Sequence, residues 1–160
     1  MIVNDRRKSV SKLILLTLIS ILATFNILPQ QAISAPTPTP TVSKSERITQ
    51  KINELKQSQE RWIEINLKQQ KLTAWQGNKI IYQVTVSSGK KSTPTLTGVY
   101  AVQTKLPLAR MRGADYDIPD VPYTMYYDGN YAIHGAYWHN NFGTPVSHGC
   151  VNLPPKKAQQ

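Results

Sequence analysis

The chain has 160 residues, a formal net charge of +10 at pH 7 and one cysteine. This length suits a single domain, and one cysteine excludes both an internal disulfide and a zinc site built on cysteine pairs. A basic chain is attracted to anionic polymers such as nucleic acids, membrane surfaces and cell walls. Because the Lys and Arg residues are scattered and form no basic stripe or known nucleic-acid motif, we expect no nucleic-acid partner.

The amino terminus has the three parts of a secretory signal peptide. A basic region (Arg6, Arg7, Lys8 and Lys12) precedes a mostly apolar run, 13–28, and small residues follow up to Ala35. An apolar helix of about 16 residues spans about 24 Å, which is short of the roughly 30 Å hydrocarbon core of a bilayer. We therefore expect residues 1–35 to be a cleaved signal peptide rather than a retained anchor, and the protein to be exported to the periplasm or cell wall.

Residues 36–60 predict a spacer and a short helix. Proline alternates with threonine over 36–41, which disfavours both helix and sheet. Ser43 and Glu46 have the spacing of a capping box, which predicts the start of a helix. Three apolar residues then recur on one helical face: Ile48, Ile52 and Leu55.

From residue 61 onwards the pattern predicts a mainly β domain with short strands and little helix. Apolar runs with a period of two predict strands at 62–67, 72–75, 80–87, 99–105, 125–127 and 131–134. Asp128-Gly129-Asn130 predicts a hairpin turn. The stretch 106–122 is polar and contains prolines, so it is predicted to be irregular.

The chemistry is concentrated in the run Ser147-His148-Gly149-Cys150-Val151-Asn152. A free thiol is only a few per cent ionised at neutral pH, so a nucleophilic cysteine needs a base. His134 ends a predicted strand, and His148 would share a face with Cys150 if this stretch were extended. Gly149 permits close approach to the backbone, and the N–H groups of Gly149 and Cys150 are candidate oxyanion donors.

Other interpretations stay open from the residues alone. A lone cysteine is most often an inert buried residue. A zinc ion could bind His134, His148 and Cys150, although a fourth ligand is missing. His139 lies in a polar loop, where we expect it to be solvated. Residue chemistry favours an exported thiol enzyme that acts on an acyl bond.

The cysteine segment resembles the signature of the L,D-transpeptidase (YkuD) family. The resemblance rests on Ile133-His134-Gly135 followed by Gly143-Thr144-Pro145-Val146-Ser147-His148-Gly149-Cys150-Val151-Asn152. Similar stretches lie upstream at Val86-Ser87-Ser88-Gly89, at 93–100 and at Pro122-Tyr123-Thr124-Met125. The resemblance covers roughly 62–153 and implies an L,D-transpeptidase-like β-sandwich or barrel of short mixed strands.

The resemblance also implies roles for individual residues. Cys150 would be the nucleophile and His134 the general acid and base, with His148 and Ser147 supporting the site. Gly149 would form the oxyanion hole with the Cys150 backbone. A second set would line the substrate groove or pack in the core or rim: Tyr123, Met125 and Trp138. Asn152 would fix the local turn or contact the substrate.

The implied function is that of an exported peptidoglycan L,D-transpeptidase. Such an enzyme joins third residues of stem peptides through a cysteinyl acyl-enzyme and needs no metal or other cofactor, and its partners are those stem peptides. The alternatives are a carboxypeptidase or cross-link hydrolase that uses the same cysteine, and a wall-binding fragment without catalysis. We expect a monomer that contacts the membrane only through an uncleaved signal segment.

The resemblance further implies chain beyond the cysteine segment. Members of the family continue with a helix and a closing strand, so residues 61–160 are expected to form a catalytic domain that is incomplete at its carboxyl end. An absent closing strand would expose a sheet edge and leave part of the core uncovered.

Overall fold

A computed structural model describes residues 1–4 and 42–160. Most of the predicted signal peptide and spacer falls on 5–41 and so lies outside the described residues. The described part is mainly β, as predicted, and its elements are β1 (Ile2–Asn4), α1 (Lys44–Lys56), β2 (Arg61–Asn66), β3 (Lys71–Gln76), β4 (Lys79–Thr85), β5 (Val99–Ala101), β6 (Thr104–Arg112), β7 (Asp117–Asp128), β8 (Tyr131–Gly135), β9 (Val151–Leu153) and α2 (Pro155–Ala158). None of the helices in these two ranges is long and apolar enough to cross a membrane.

Helix α1 begins at the predicted capping box. The Glu46 N–H donates to Ser43 Oγ, and the Ser43 N–H donates to the Glu46 carboxylate. Both groups would otherwise lack a partner at a helix start. The predicted apolar face is confirmed, because Leu55 is buried in a cluster with Ile2 and Trp62. The helix is thereby packed against the first sheet.

The first sheet has the strand order β4-β3-β2-β1-β5, and the amino-terminal strand lies inside it. β1 runs antiparallel to β2 and parallel to β5. The Met1 amino group donates to the Ile65 carbonyl over 3.1 Å, and the Ile2 N–H donates to the Gly98 carbonyl over 2.9 Å. Ile2 and Val3 are fully buried. Cleavage after Ala35 would therefore take a paired, buried strand out of this sheet.

The second sheet has the strand order β6-β7-β8-β9. Strands β6 and β7 correct one prediction. The stretch 106–122, expected to be irregular, forms most of a long β6–β7 hairpin. Its prolines are tolerated because β6 is an edge strand, and the part of β7 before Met125 has only β6 as a neighbour. The Arg110 side chain also donates two hydrogen bonds to Asp117 across the hairpin. The predicted turn at 128–130 is confirmed between β7 and β8.

The main core lies between the two sheets. Nine buried residues form it: Met1, Val3, Ile65, Leu72, Val86, Tyr127, Ile133, Val151 and Leu153. Beside this core, a cleft of about 790 Å³ is lined by residues of both sheets and by 157–160. Part of the inter-sheet core is thus reachable from solvent.

Candidate active site

Strand β8 carries the predicted base, and the predicted nucleophile immediately precedes β9, the parallel partner of β8. The two strands pair with Ile133 opposite Val151 and His134 opposite Asn152. Cys150 comes two residues before Asn152, just outside β9. Strands about 4.8 Å apart with a rise of about 3.3 Å per residue would place the Cα atoms of Cys150 and His134 about 8 Å apart, within side-chain reach.

His134 is buried and held in one tautomer. Its Nδ1 lies 2.9 Å from the Gly135 carbonyl oxygen. Because a carbonyl only accepts, Nδ1 carries the hydrogen and donates, and Nε2 keeps a free lone pair. Burial lowers the pKa of His134 to about 4, and the bond to Gly135 opposes this shift only in part. The side chain is therefore a neutral imidazole at pH 7, in the form that can accept a proton.

Cys150 is a thiol in the resting site. Burial raises its pKa, and a backbone hydrogen bond from Ala132 opposes the shift only in part. The sulfur lies 3.7 Å from the Asn130 carbonyl oxygen, to which the S–H can donate. The resting pair is accordingly a neutral thiol beside a neutral imidazole, and the proton must move when the sulfur attacks.

The loop before the cysteine is closed by Ser147. Its hydroxyl donates to the Cys150 carbonyl over 2.6 Å and accepts from the Gly149 N–H over 3.0 Å. The Gly149 N–H is thus engaged within the loop, so the oxyanion donor predicted there is not free. Of the predicted pair, the Cys150 N–H remains. Gly149 also needs to be glycine, because its φ is +118° and a Cβ would lie 2.6 Å from the Tyr131 ring.

A second loop supports the cysteine segment, and the sequence interpretation missed it. The Thr95 hydroxyl donates to the Gly149 carbonyl and accepts from the Gly89 N–H, each over 2.8 Å. The Thr93 hydroxyl donates to the Ser147 carbonyl over 3.1 Å. The hydroxyl-rich stretch 92–97 was the available signal, because such side chains bond readily to backbone groups.

His148 faces the β6–β7 turn. The stretch is not extended, since the positive φ of Gly149 turns the chain, and the shared face expected for residues 148 and 150 does not form. The Nε2 atom of His148 lies 3.2 Å from an Asp115 carboxylate oxygen and 3.4 Å from the Lys90 ammonium. Its ring lies 5.0 Å from that of Tyr116. His148 therefore connects the cysteine segment to the turn.

The three predicted groove residues separate into two places. Trp138 lies beside the base, with its ring 5.7 Å from that of His134. Met125 pairs with Ile133 and so faces the core, where it packs against the main cluster. Tyr123 and Met125 both line the inter-sheet cleft, whose lining includes neither His134 nor the cysteine. Of the three, only Trp138 lies beside His134.

His139 is partly buried and contacts Asn152, a contact that the expectation of a solvated side chain did not include. The Asn141 N–H donates to His139 Nδ1 over 3.2 Å, and Nε2 lies 2.9 Å from Asn152 Nδ2. The ring packs 4.9 Å from that of Phe142, and partial burial lowers the His139 pKa. Asn152 is buried, and its Oδ1 has no hydrogen-bond partner.

The zinc alternative has no support in this arrangement. Across residues 1–4 and 42–160, no three His, Cys, Asp or Glu side chains are grouped so that they could hold a metal ion. The site thus consists of a thiol, a neutral imidazole and a set of backbone and hydroxyl hydrogen bonds.

The comparison that decides the family is with the L,D-transpeptidase catalytic domain, YkuD, whose model matches residues 60–160. The chain belongs to this family. L,D-transpeptidase 2 of Mycobacterium tuberculosis (strain CDC 1551 / Oshkosh) is 30% identical over 105 residues, covering 55% of this chain and 24% of the relative. The chain therefore spans about a quarter of the length of this curated YkuD relative.

Solved L,D-transpeptidase structures have a similar fold. The NMR structure of the catalytic domain from the Enterococcus faecium enzyme is 31% identical, with a TM-score of 0.55, and the match covers 61% of this chain and 83% of that one. The Ldtfm–avibactam carbamoyl enzyme is 32% identical, with a TM-score of 0.57, and covers 61% of this chain and 42% of that one. The predicted family and the mainly β YkuD fold are confirmed.

Proposed function

We propose that this protein is an exported cysteine acyltransferase that cross-links peptidoglycan stem peptides between third residues. The observation that carries the proposal is that neutral His134 lies on β8 and that Cys150 immediately precedes β9, the parallel partner of β8. Membership of the L,D-transpeptidase family supports the substrate class. The relative described as a carbamoyl enzyme supports a covalent route. The signal-like amino terminus supports action outside the cytoplasm.

In the first half-reaction, Cys150 attacks the carbonyl carbon of the third residue of a donor tetrapeptide. As the S–C bond forms, the thiol proton passes to His134 Nε2, the nitrogen that holds the free lone pair. The Cys150 N–H is the backbone donor that remains for the oxyanion. The C–N bond to the terminal D-alanine then breaks, and His134 returns the proton to the leaving amine. The product is a thioester.

In the second half-reaction, an amine of another stem peptide attacks the thioester. His134 takes a proton from this amine and gives one to the departing sulfur, which restores the thiol. The chemistry is of the ping-pong type and uses the Cys150 and His134 side chains together with the Cys150 N–H. Desolvation at both side chains favours this route, because the neutral resting pair avoids a desolvated charge and ionises only as bonds form.

The test uses the full chain and a purified disaccharide–tetrapeptide. Intact-protein mass spectrometry should detect a thioester adduct on the wild type, and product analysis should detect a peptide dimer. Cys150→Ala should abolish both, and His134→Gln should slow adduct formation by about 10²-fold or more, the usual contribution of a general base. Lys79→Ala, at an exposed position of β4, is the control that should react like the wild type.

Two results would contradict the proposal. A dimer that still forms with Cys150→Ala would exclude the cysteine as nucleophile. Release of D-alanine with a tripeptide as the sole product would mean that water is the acceptor, so the protein would be a carboxypeptidase rather than a cross-linking enzyme.

A further inference from the structure

The buried side-chain amide of Gln70 is hydrogen-bonded at both ends. Gln70 is 4% exposed and comes directly before β3. Its Oε1 accepts from the Ser88 N–H over 2.8 Å, and its Nε2 donates to the Ser88 hydroxyl over 2.8 Å and to the Leu67 carbonyl. The orientation of the amide follows from these partners, because an N–H only donates and a carbonyl only accepts. Gln70 therefore holds Ser88 by both its backbone and its side chain.

This amide takes the place of a strand neighbour at a point where the sheet ends. β3 pairs with β4 as far as Lys71 opposite Thr85, and the Gln70 carbonyl then accepts from the Val86 N–H. Beyond this point residues 67–70 form the turn back to β2. A side-chain amide presents a C=O and an N–H, the same two groups as a peptide. Gln70 has a φ of +50°, which side chains rarely adopt, so the turn holds a strained backbone at the residue that supplies this amide.

The peptide between Ser88 and Gly89 connects two supports of the cysteine segment. Its carbonyl, from Ser88, accepts from the Val146 N–H over 2.9 Å and from the Ser147 N–H over 3.0 Å. Its N–H, from Gly89, donates to the Thr95 hydroxyl over 2.8 Å. One planar group thus bonds both to the residue that closes the cysteine loop and to the threonine that supports it.

Both supports end on the peptide between Gly149 and Cys150. The Ser147 hydroxyl bonds to the Gly149 N–H and the Cys150 carbonyl, which lie on either side of this peptide. The Thr95 hydroxyl bonds to the Gly149 carbonyl, which belongs to the peptide itself. A Cβ on Gly89 would lie 2.9 Å from the Gly149 Cα, so the two backbones are in close contact. Because a peptide is planar, fixing its carbonyl also fixes the direction of its N–H.

We propose that Gln70 is a positioning residue, which fixes the Ser88–Gly89 peptide and through it the direction of the Cys150 N–H toward the oxyanion. The inference rests on the proposed function and adds to it a residue from the β2–β3 turn of the first sheet. Gln70 touches neither the sulfur nor the substrate. It acts on the addition step, in which negative charge develops on the carbonyl oxygen, and leaves proton transfer from the thiol to His134 unchanged.

Two reactions of the sulfur separate these steps. p-Nitrophenyl acetate acylates a thiol through a tetrahedral oxyanion, whereas iodoacetamide alkylates it by direct displacement and forms no oxyanion. In the full chain, Gln70→Met keeps the length of the side chain and loses its three hydrogen bonds. It should slow acylation of Cys150 about tenfold or more, while the alkylation rate stays within about twofold. Intact-protein mass spectrometry follows both rates, and Cys150→Ala gives the background acylation of amines.

A matched control lies one position earlier. Gln69→Met makes the same change at an exposed position and should react like the wild type with both reagents. Equal slowing of acylation and alkylation by Gln70→Met would overturn the inference, because it would indicate a general loss of folded sites. Unchanged acylation by this variant would overturn it as well.

Gln70→Glu distinguishes positioning from stability. A glutamate side chain has the same length and accepts from the Ser88 N–H in either protonation state, but as a carboxylate it cannot donate to the Leu67 carbonyl. It should lower the melting temperature, as Gln70→Met does, and yet restore most of the acylation rate. A purely structural role would make acylation follow the melting temperature across the variants. Acylation by Gln70→Glu that is as slow as by Gln70→Met would overturn the inference.

The proposed function is tested separately by the tetrapeptide. A wild-type chain that is acylated by p-nitrophenyl acetate but forms no thioester with the tetrapeptide would overturn the proposed function, and the acetate rates would still decide the role of Gln70. A wild-type chain that reacts with the tetrapeptide, together with a Gln70→Met variant that reacts equally fast, would overturn this inference alone.

Discussion

The buried imidazole of His134 makes a measurable prediction about stability and pH. In the unfolded chain a histidine has a pKa of about 6.5. In the folded protein, burial lowers the pKa of His134 to about 4. Between these values the unfolded state binds a proton that the folded state does not, so the free energy of unfolding falls as the pH falls. The stabilisation is complete above about pH 6.5 and is lost as the pH approaches 4.

The size of the effect follows from the shift. Each unit of pKa difference corresponds to 1.36 kcal/mol, so a shift of about 2.5 units is worth about 3 kcal/mol. At pH 5 the loss should already be about 2 kcal/mol. This is a large fraction of the 5–15 kcal/mol by which native domains are usually stable. Acid should therefore destabilise the domain at a pH well above the one at which Asp117 takes up a proton. The Arg110 side chain lowers the pKa of Asp117 to about 2.

The assay is urea unfolding of the wild type and of His134→Gln at pH 7.5, 6, 5 and 4.5. Gln cannot take up a proton in this range, and the carboxylates titrate in both proteins, so the difference between the two curves isolates the imidazole. The wild type should lose about 2 kcal/mol more than the variant between pH 7.5 and 5. Parallel curves would refute the reasoning, since they would mean that His134 takes up a proton as easily in the folded protein as in the unfolded chain.

Substitutions at three further sites, two of them with a control variant, test the fold and the cysteine loop. Ile2→Ala should cost about 2–5 kcal/mol in urea unfolding, because the side chain is fully buried. Ile81→Ala, at a side chain that is 45% exposed, should change stability by less than about 0.5 kcal/mol, and equal losses would contradict the role of β1. Gly149→Ala should cost about 1–3 kcal/mol and slow thiol alkylation, because of the positive φ and the contact with Tyr131; an unchanged alkylation rate would count against this loop geometry. Thr95→Val should cost about 1–3 kcal/mol by leaving the loop groups unpaired, whereas Thr95→Ser should restore most of the loss; equal effects of Val and Ser would exclude the hydroxyl as the cause.

Export and stability are linked through β1, because this strand lies within the predicted signal peptide and is also paired in the first sheet. If a signal peptidase cuts after Ala35, the domain loses β1 and the buried side chains of Ile2 and Val3. Amino-terminal sequencing of the protein recovered outside the cytoplasm would show whether the strand is kept. A mature chain that starts after Ala35 and unfolds at the same urea concentration as the full chain would mean that β1 contributes nothing to stability.

Local chemistry was sufficient to predict several parts of this protein from its sequence. The capping box at Ser43 and Glu46 and the turn at 128–130 depend on groups within four residues of one another. The cysteine motif likewise identifies the family, because its residue types and spacing are specific. The approach of the His134 strand to the segment after Cys150 needs the parallel β8–β9 register, which neither strand specifies alone.

The tertiary structure alone decided the features whose partners are distant in sequence. In the sequence, Ile2 and Val3 belong to the predicted export signal. In the structure they lie in β1, between β2 and β5, whose paired residues are about 60 and 100 positions further along the chain. His139 reads as a polar loop residue until Asn152 is placed against its ring. The pKa shifts of His134 and Cys150 arise from desolvation, which depends on how the whole sheet buries them. A sequence determines which groups can react, whereas burial and non-local pairing determine their charge, orientation and neighbours.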